Sequence, residues 1–308
     1  MSRFPVPYPR RGPVAMGGRD YGDSRQMFGT GRQQGQSNLK ARLILAAIIA
    51  AIALLSYYGN PGDVNQITGE KERVIFSDEA DEIAMGLQAA PQMVQMHGGP
   101  SRDAEAQAKV TRIGQRLLDG LDKMLAAEGR TNPYRGHFKF TLLADPETVN
   151  AFALPGGQVF ITTALFQDLQ TDGQLAGVLG HEVGHVIERH GNKRMAQHQL
   201  FQGLAAAGGV AGGDAQSAQM AQAVAQMVQM KYGRGDELES DKWGVRLTAL
   251  AGYDPRSMIG VMEVLERAGG AGPPEFFSTH PKPANRVAYI ERVISEEFPN
   301  GVPSGLEK

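Results

Sequence analysis

Hydrophobic positions are spread very unevenly along this chain. From Leu43 to Tyr58 the sequence runs LILAAIIAAIALLSYY, sixteen residues with no charge and no polar face. As a helix this stretch rises roughly 24 Å, somewhat short of a hydrocarbon core of about 30 Å. Lys40 and Arg42 can snorkel at one end, and Tyr57 and Tyr58 suit the opposite interface. The pattern predicts a transmembrane helix or signal anchor over residues 39–58. The competing reading is a cleaved signal peptide, which would leave the remainder periplasmic. Residues 1–38 are rich in Gly, Pro, Arg, Gln and Ser and have no apolar period, so a disordered tail is expected there. Residues 59–74 are polar and read as a linker.

Beyond the linker the pattern becomes that of packed helices. Ser77, followed by Asp78, Glu79, Asp81 and Glu82, opens a helix bearing Ile83, Leu87 and Met93, which ends at Gly98-Gly99-Pro100. Val110, Ile113, Leu117, Leu121 and Met124 lie at helical spacing between Asp103 and Ala127. Phe138–Leu143 alternates as a strand. Ala151–Leu154 and Gln158–Thr162 are two more, joined through Pro155-Gly156-Gly157. Thr171 with Gln174 three residues on has the form of a capping box and starts another helix. Later helices are predicted at Ala215–Tyr232, Asp236–Ala251, Pro255–Ala268 and Pro283–Phe298, with Met220, Met227 and Met230 as core contacts. The expected fold is mainly α with a small β-sheet (α+β), its globular domain at residues 75–298 and a short tail at 299–308.

Composition narrows the chemistry. There is no cysteine, which removes disulfides, thiolate catalysis and thiolate metal sites, so any metal must be held by histidine and carboxylate. The net charge of -2 conceals an asymmetry, because residues 1–42 hold eight Lys/Arg against Asp20 and Asp23. A basic segment running straight into an apolar one points to a membrane and not to nucleic acid. The positive-inside rule places the tail in the cytoplasm and residues 59–308 outside it.

The strongest chemical signal is His181-Glu182-Val183-Gly184-His185. On a helix, positions i and i+4 share a face, so both imidazoles can converge on one ion at about 2.0–2.1 Å. Glu182, about 100° away around the helix, is not a third ligand but can take a proton from a water at the ion. Leu175, Val178, Leu179, Val183, Val186 and Ile187 mark this helix as buried, where such polar groups without a metal would be costly. One Zn2+ per chain is the expected cofactor. Glu188 stands seven residues after His181 and the spacing of a third motif histidine is missing, so a ligand must come from farther along. On the helix predicted from Asp236, Glu237 and Asp241 share a face, which suits one carboxylate as ligand and the other as the acceptor that fixes an imidazole. Glu239 points about 200° away from Glu237. His190 and His198, near Arg189, Lys193 and Arg194, read as solvent-facing or as supports behind the ligands, and His97 and His137 as loop residues. His280 lies in Ser278-Thr279-His280-Pro281-Lys282-Pro283, where prolines restrict the backbone ahead of the last helix.

Together these motifs resemble the zinc metallopeptidase family that contains the HtpX heat-shock proteases and the CAAX prenyl proteases, closest to its small bacterial envelope members, the BepA-like proteases. The resemblance covers residues 75–298. It is carried by Asn150-Ala151-Phe152-Ala153-Leu154-Pro155-Gly156-Gly157, by HEVGH at 181–185 with Glu188-Arg189-His190, and by Glu237-x-x-x-Asp241. Gly252-Tyr253-Asp254-Pro255 and His280-Pro281, with Arg286 beyond, complete it. The resemblance implies a zincin-type metalloprotease fold of gluzincin type, in which His181, His185 and Glu237 bind zinc, Glu182 is the base and Asp241 buttresses a ligand histidine. It also implies that Asn150, Ala151, Phe152, Ala153 and Leu154 form a substrate-binding edge strand, since such an edge offers main-chain groups to an extended peptide. His280 is expected to face the cleft, either stabilising the oxyanion or occupying the open metal position.

The activity implied is endopeptidase hydrolysis of unfolded or misassembled envelope proteins, on the periplasmic side of a bacterial inner membrane. The alternative is an envelope assembly factor or holdase with latent protease activity. The chain departs from the HtpX and prenyl-protease branches in lacking their several membrane spans, so prenylated substrates are not expected. Its Ala/Gly-rich 201–213 segment suggests a mobile lid.

Overall fold

The computed structural model describes residues 31–213, 233–268, 276–280 and 285–308. Helix α1 (Gly31–Tyr58) contains the apolar run and starts several residues ahead of the expected boundary at 39. Among the described residues, its segment Asn38–Tyr58 is the one helix long and apolar enough to cross a membrane alone.

The polar stretch after α1 is part of the folded body. Strands β1 (Asp63–Val64) and β2 (Lys71–Glu72) pair antiparallel across it. Asn65 organises the turn between them: its Oδ1 accepts from the N–H groups of Ile67 and Thr68 at 2.9 and 3.2 Å. Its Nδ2 donates to the Ile187 carbonyl at 2.8 Å, which ties this hairpin to the end of the helix carrying HEVGH. Composition registers the polarity of residues 59–74 but not this pairing.

Helix α2 (Glu79–Met96) is capped by Asp78 and not by Ser77: Asp78 Oδ1 accepts from Ala80 N–H at 2.8 Å. Helix α3 (Ala104–Ala127), capped by Asp103, buries Val110, Ile113, Leu117 and Leu121 completely. Strands β3 (Lys139–Leu143), β4 (Ala151–Leu154) and β5 (Gln158–Thr162) fall where alternation predicts, but their order is β3-β5-β4, with β3 parallel and β4 antiparallel to β5. Strand β5 is therefore central and buried throughout, and β4 is an edge. The β4–β5 turn needs its glycines. Gly156 and Gly157 have φ of 78° and 107°, and a β-carbon on Gly156 would lie 2.4 Å from Ile83 Cα.

A short helix, α4 (Thr163–Asp168), precedes α5 (Asp172–Ile187), the central helix of the molecule. Thr171 caps α5 as expected, with Oγ1 accepting from Gln174 N–H at 3.1 Å. The return bond runs one residue early, from Gln170 N–H to Gln174 Oε1 at 2.6 Å. All of Gly173–Ile187 is buried. Helix α6 (His190–Gly212) follows at once and lies along α1, so residues 201–212 continue a packed helix where the Ala/Gly content suggests a separate lid. Helices α7 (Arg234–Leu250), α8 (Ser257–Ala268), α9 (Phe276–Thr279) and α10 (Arg286–Glu297) complete the body. The helix expected at Ala215–Tyr232, with Met220, Met227 and Met230, lies outside the described residues.

Two features set the position of the functional side chains. The axes of α5 and α7 come very close, because Gly180 faces Gly244 and a β-carbon at Gly184 would lie 2.9 Å from Trp243 Cβ. The carboxyl end of the chain is also docked: Glu307 O accepts from Asp254 N–H at 2.7 Å, and Glu307 N–H donates to Gly252 O at 3.0 Å. The short tail at 299–308 thus holds the turn between α7 and α8.

Candidate metal centre

Helix α5 presents His181 and His185 from one face, and the close α7 presents Glu237 opposite them. The Nε2 atoms of the two histidines stand 3.1 Å apart. Glu237 Oε2 is 3.7 Å from His181 Nε2, and Oε1 is 3.5 Å from His185 Nε2. His280, the residue after α9, brings Nδ1 to 3.1 Å from Glu237 Oε1. Donor atoms of these four buried residues all lie within 4.8 Å of one another.

This arrangement fits a small tetrahedral cation. Two donors each about 2.0–2.1 Å from one tetrahedral zinc stand about 3.3 Å apart, close to the three separations just given. Without an ion, the two imidazole nitrogens and the carboxylate would face one another in a dry interior with few protons to share. Glu182 strengthens the fit. It is buried, and neither of its carboxylate oxygens has a hydrogen-bond partner among the described residues. Burial raises its pKa, and His280 and His181 only partly offset that. Such a group is suited to receive a proton.

The supports behind the donors are well defined. His181 Nδ1 is 2.9 Å from Asp241 Oδ1, which fixes the ring with Nε2 towards Glu237. Arg286, at the start of α10, grips the same carboxylate: Nε donates to Oδ2 at 2.8 Å and Nη2 to Oδ1 at 2.6 Å. Arg286 Nη1 also stands 3.2 Å from Glu237 Oε2. Burial opposes ionisation of Asp241, but Arg286 and His181 outweigh it and hold its pKa below the usual range. Burial likewise opposes charging His280, yet the nearby Glu182 and Glu237 raise its pKa. His185 is pushed well below its ordinary value, by burial first and then by His181, His190 and His280.

His190 belongs to this network and is not solvent-facing. It is fully buried, its Nδ1 is 2.9 Å from His185 Nδ1, and its Nε2 is 3.0 Å from Glu239 Oε2. Arg189 makes this possible. Its backbone is left-handed, with φ 52°, and turns the chain so that the residue after the motif helix faces back to His185. Arginine does not announce such a conformation, so spacing alone left the place of His190 open.

Asp241 is found behind His181, as the family resemblance implies, and Glu239 points to His190, away from the donor cluster. The role of Arg286 has no local sequence signal, since it depends on how α10 packs against α7. Of the expected edge strand, Ala151 and Phe152 are buried while Ala153 and Leu154 are half-buried. The latter pair shares a small recess with Glu82, Pro155, His185 and Gly191, so β4 ends beside the donor cluster. Asn150 joins β5 through its main chain, with Thr162 N–H donating to Asn150 O at 3.0 Å. The buried side-chain Oδ1 of Asn150 has no hydrogen-bond partner among the described residues.

The profile of peptidase family M48 matches residues 104–294, more than half of the chain. The chain is 32% identical over 172 residues to mitochondrial metalloendopeptidase OMA1 of Arabidopsis thaliana, a match covering 56% of this chain and 35% of that protein. It is 31% identical over 214 residues to a beta-barrel assembly-enhancing protease of Yersinia pestis, covering 64% and 41%. The beta-barrel assembly-enhancing protease of Escherichia coli strain K12 is 29% identical over 206 residues, covering 63% and 40%. The chain thus spans about 35–41% of the length of these curated relatives.

Proposed function

The chain belongs to peptidase family M48, and from that premise we propose that it is a zinc-dependent endopeptidase that hydrolyses peptide bonds of extended or misfolded envelope proteins. The observation that carries this reading is the pair of imidazole nitrogens 3.1 Å apart, faced by Glu237 and flanked by a buried Glu182 with no hydrogen-bond partner among the described residues.

His181, His185 and Glu237 would hold the metal, and Asp241 and His190 would orient the two rings. Zinc supplies a Lewis acid that polarises a peptide carbonyl and acidifies water. Glu182 accepts the proton of the attacking water and then delivers it to the departing amine. Strand β4 offers its main chain to an extended peptide ending near His185. Helix α1 anchors the domain in a bacterial inner membrane with the cleft on the periplasmic side, in keeping with relatives named for beta-barrel assembly.

A second reading, an assembly factor with latent protease activity, is favoured by one observation. His280 is a fourth potential donor within the same cluster, where a closed site would need one.

Glu182→Gln tests the proposal. The amide keeps shape and metal but cannot take the proton, so turnover of an unfolded substrate should fall by about 10²–10⁴-fold. Envelope proteins that accumulate in cells bearing the variant, compared with wild type, identify the substrates. Equal turnover in a fully metallated variant would remove the endopeptidase reading.

A further inference from the structure

We propose that α6, the helix that leads away from the metal centre, enters the bilayer beside α1 and runs through it as far as the level of Arg42. The inference rests on α1 being the membrane anchor, and it concerns what accompanies that anchor.

The first observation is the contact between the two helices. They run antiparallel. Arg42, at the amino end of the apolar run, donates from Nε to Val210 O at 3.2 Å and from Nη2 to Ala211 O at 2.8 Å. Eleven residues along α1, the contact is with Gly203, where a β-carbon would lie 2.6 Å from Ala53 Cβ. Ala196 and Leu200 then line the same hollow as Tyr57. From Arg42 to Tyr57 a helix rises roughly 22 Å, so α6 follows nearly the whole apolar segment. Whatever medium surrounds α1 therefore also surrounds α6.

The second observation is what α6 exposes there. No Asp, Glu, Lys or Arg occurs between Arg194 and Asp214, and residues 203–213 read GLAAAGGVAGG, without one polar side chain. In water such a helix is poor, because each glycine costs about 1 kcal/mol relative to alanine. In lipid, small residues let helices approach closely. Leu43, Ile44, Ile48, Ile52, Leu54 and Leu55 of α1 are all exposed as well. A hollow of about 530 Å³ between the helices is walled by Ile49, Ile52, Ala53, Leu200 and Gly203 along the apolar run, and by Ser56, Asn60, Arg73 and Gln199 at the end nearer the folded body. Hydrocarbon chains match the apolar part of that surface, and the polar part lies where the helices meet the headgroup level.

The third observation is the end of α6. The last carbonyls of a helix lack intrahelical partners, and in hydrocarbon each must find one. Arg42 supplies donors to two of them and sets its positive charge at the negative end of the helix dipole. It also lies over Gly213, the left-handed residue that ends the helix. An arginine at this point is what a helix end near the cytoplasmic interface requires.

The absence of native cysteine allows a direct test in the full chain, in membranes of the cells that express it. Single cysteines at Ile52 on α1, at Ala206 and Gly208 on the exposed side of α6, and at exposed Lys123 are treated with a membrane-impermeant maleimide. A side chain at 208 meets nothing within 4 Å, so folding is preserved there. Lys123→Cys should react, whereas Ile52→Cys, Ala206→Cys and Gly208→Cys should stay unlabelled until the protein is denatured. Since 206 and 208 are exposed among the described residues, their protection reports lipid around α6. Protection at Ile52 with labelling at both α6 positions would overturn the proposal while leaving the anchor intact. Labelling at Ile52 would remove the anchor, and with it the inference.

Discussion

His190 meets His185 nitrogen to nitrogen, with 2.9 Å between their Nδ1 atoms. With its Nε2 given to a metal, His185 would carry its proton on Nδ1 and donate it to His190, which would in turn donate from Nε2 to Glu239. Removing His190 should leave the His185 ring without its buried acceptor. His190→Ala is expected to weaken metal binding by about 10–100-fold, read by chelator competition. Wild-type affinity in the folded variant would show that His185 needs no such partner.

Glu237 and Glu239 are one helical turn's fraction apart, yet they serve different places. Glu237→Ala should strip the metal, because its oxygens are the only carboxylate oxygens of the described donor cluster. Glu239→Ala should retain it, because that side chain reaches only the outer nitrogen of His190 and is half-exposed. Metal content of the two purified variants decides the matter, and the reverse result would exchange their roles.

His280 can act in two directions, and the sign of one substitution separates them. Its Nδ1 is held 3.1 Å from Glu237 Oε1, and its Nε2 stands 3.7 Å from Glu182 Oε1. If it donates to the tetrahedral intermediate, His280→Ala should lower turnover by about 10²–10³-fold with metal retained. If it closes the fourth position at rest, the same change should raise basal cleavage. Unaltered turnover, metal content and stability would leave it no role.

Acid stability should depend on Asp145, in the bend that leads to β4. Its Oδ1 accepts from Glu147 and Thr148 N–H at 3.1 and 2.9 Å, and its Oδ2 is 2.9 Å from His97 Nδ1. Burial works to raise its pKa, but His97 and Thr148 outweigh that and lower it from 3.8 to about 2. For a carboxylate depressed on folding, the stabilisation is full above the unfolded pKa and is lost as pH falls towards the folded one. Thermal unfolding followed between pH 5 and pH 2, roughly the window set by those values, should show a shallower acid limb in Asp145→Asn. An acid limb as steep as that of wild type would count against the bond.

The elements that could be read from sequence were those whose signal is local. The apolar residues of α3 recur every three or four positions, and the metal motif carries its own helical spacing, so His181, Glu182 and His185 needed no tertiary information. That a carboxylate would stand behind the ligands followed from Glu237 and Asp241 sharing a face, and the family resemblance assigned that place to Asp241. What escaped depended on contacts between distant segments. The order β3-β5-β4 is set by which strand the helices cover, and alternation along each strand is silent about it. Arg286 reaches Asp241 only because α10 packs on α7. The hairpin at residues 63–72 is held by Asn65 bonding to Ile187, more than a hundred positions away.

The shortness of β4 bears on what a bound peptide has to bring. A four-residue edge directs the main-chain groups of alternate residues outward, so it can hold only about two residues of a partner strand. Main-chain bonds are indifferent to side-chain identity, so on the proposed function recognition at this edge would measure how long a segment stays extended and not what it spells. Freeing such a segment from a native protein costs the local unfolding free energy of that region. On the proposed function, cleavage would follow the fraction of time a neighbour spends open, and a well-folded protein in the same compartment would be spared without any sequence code.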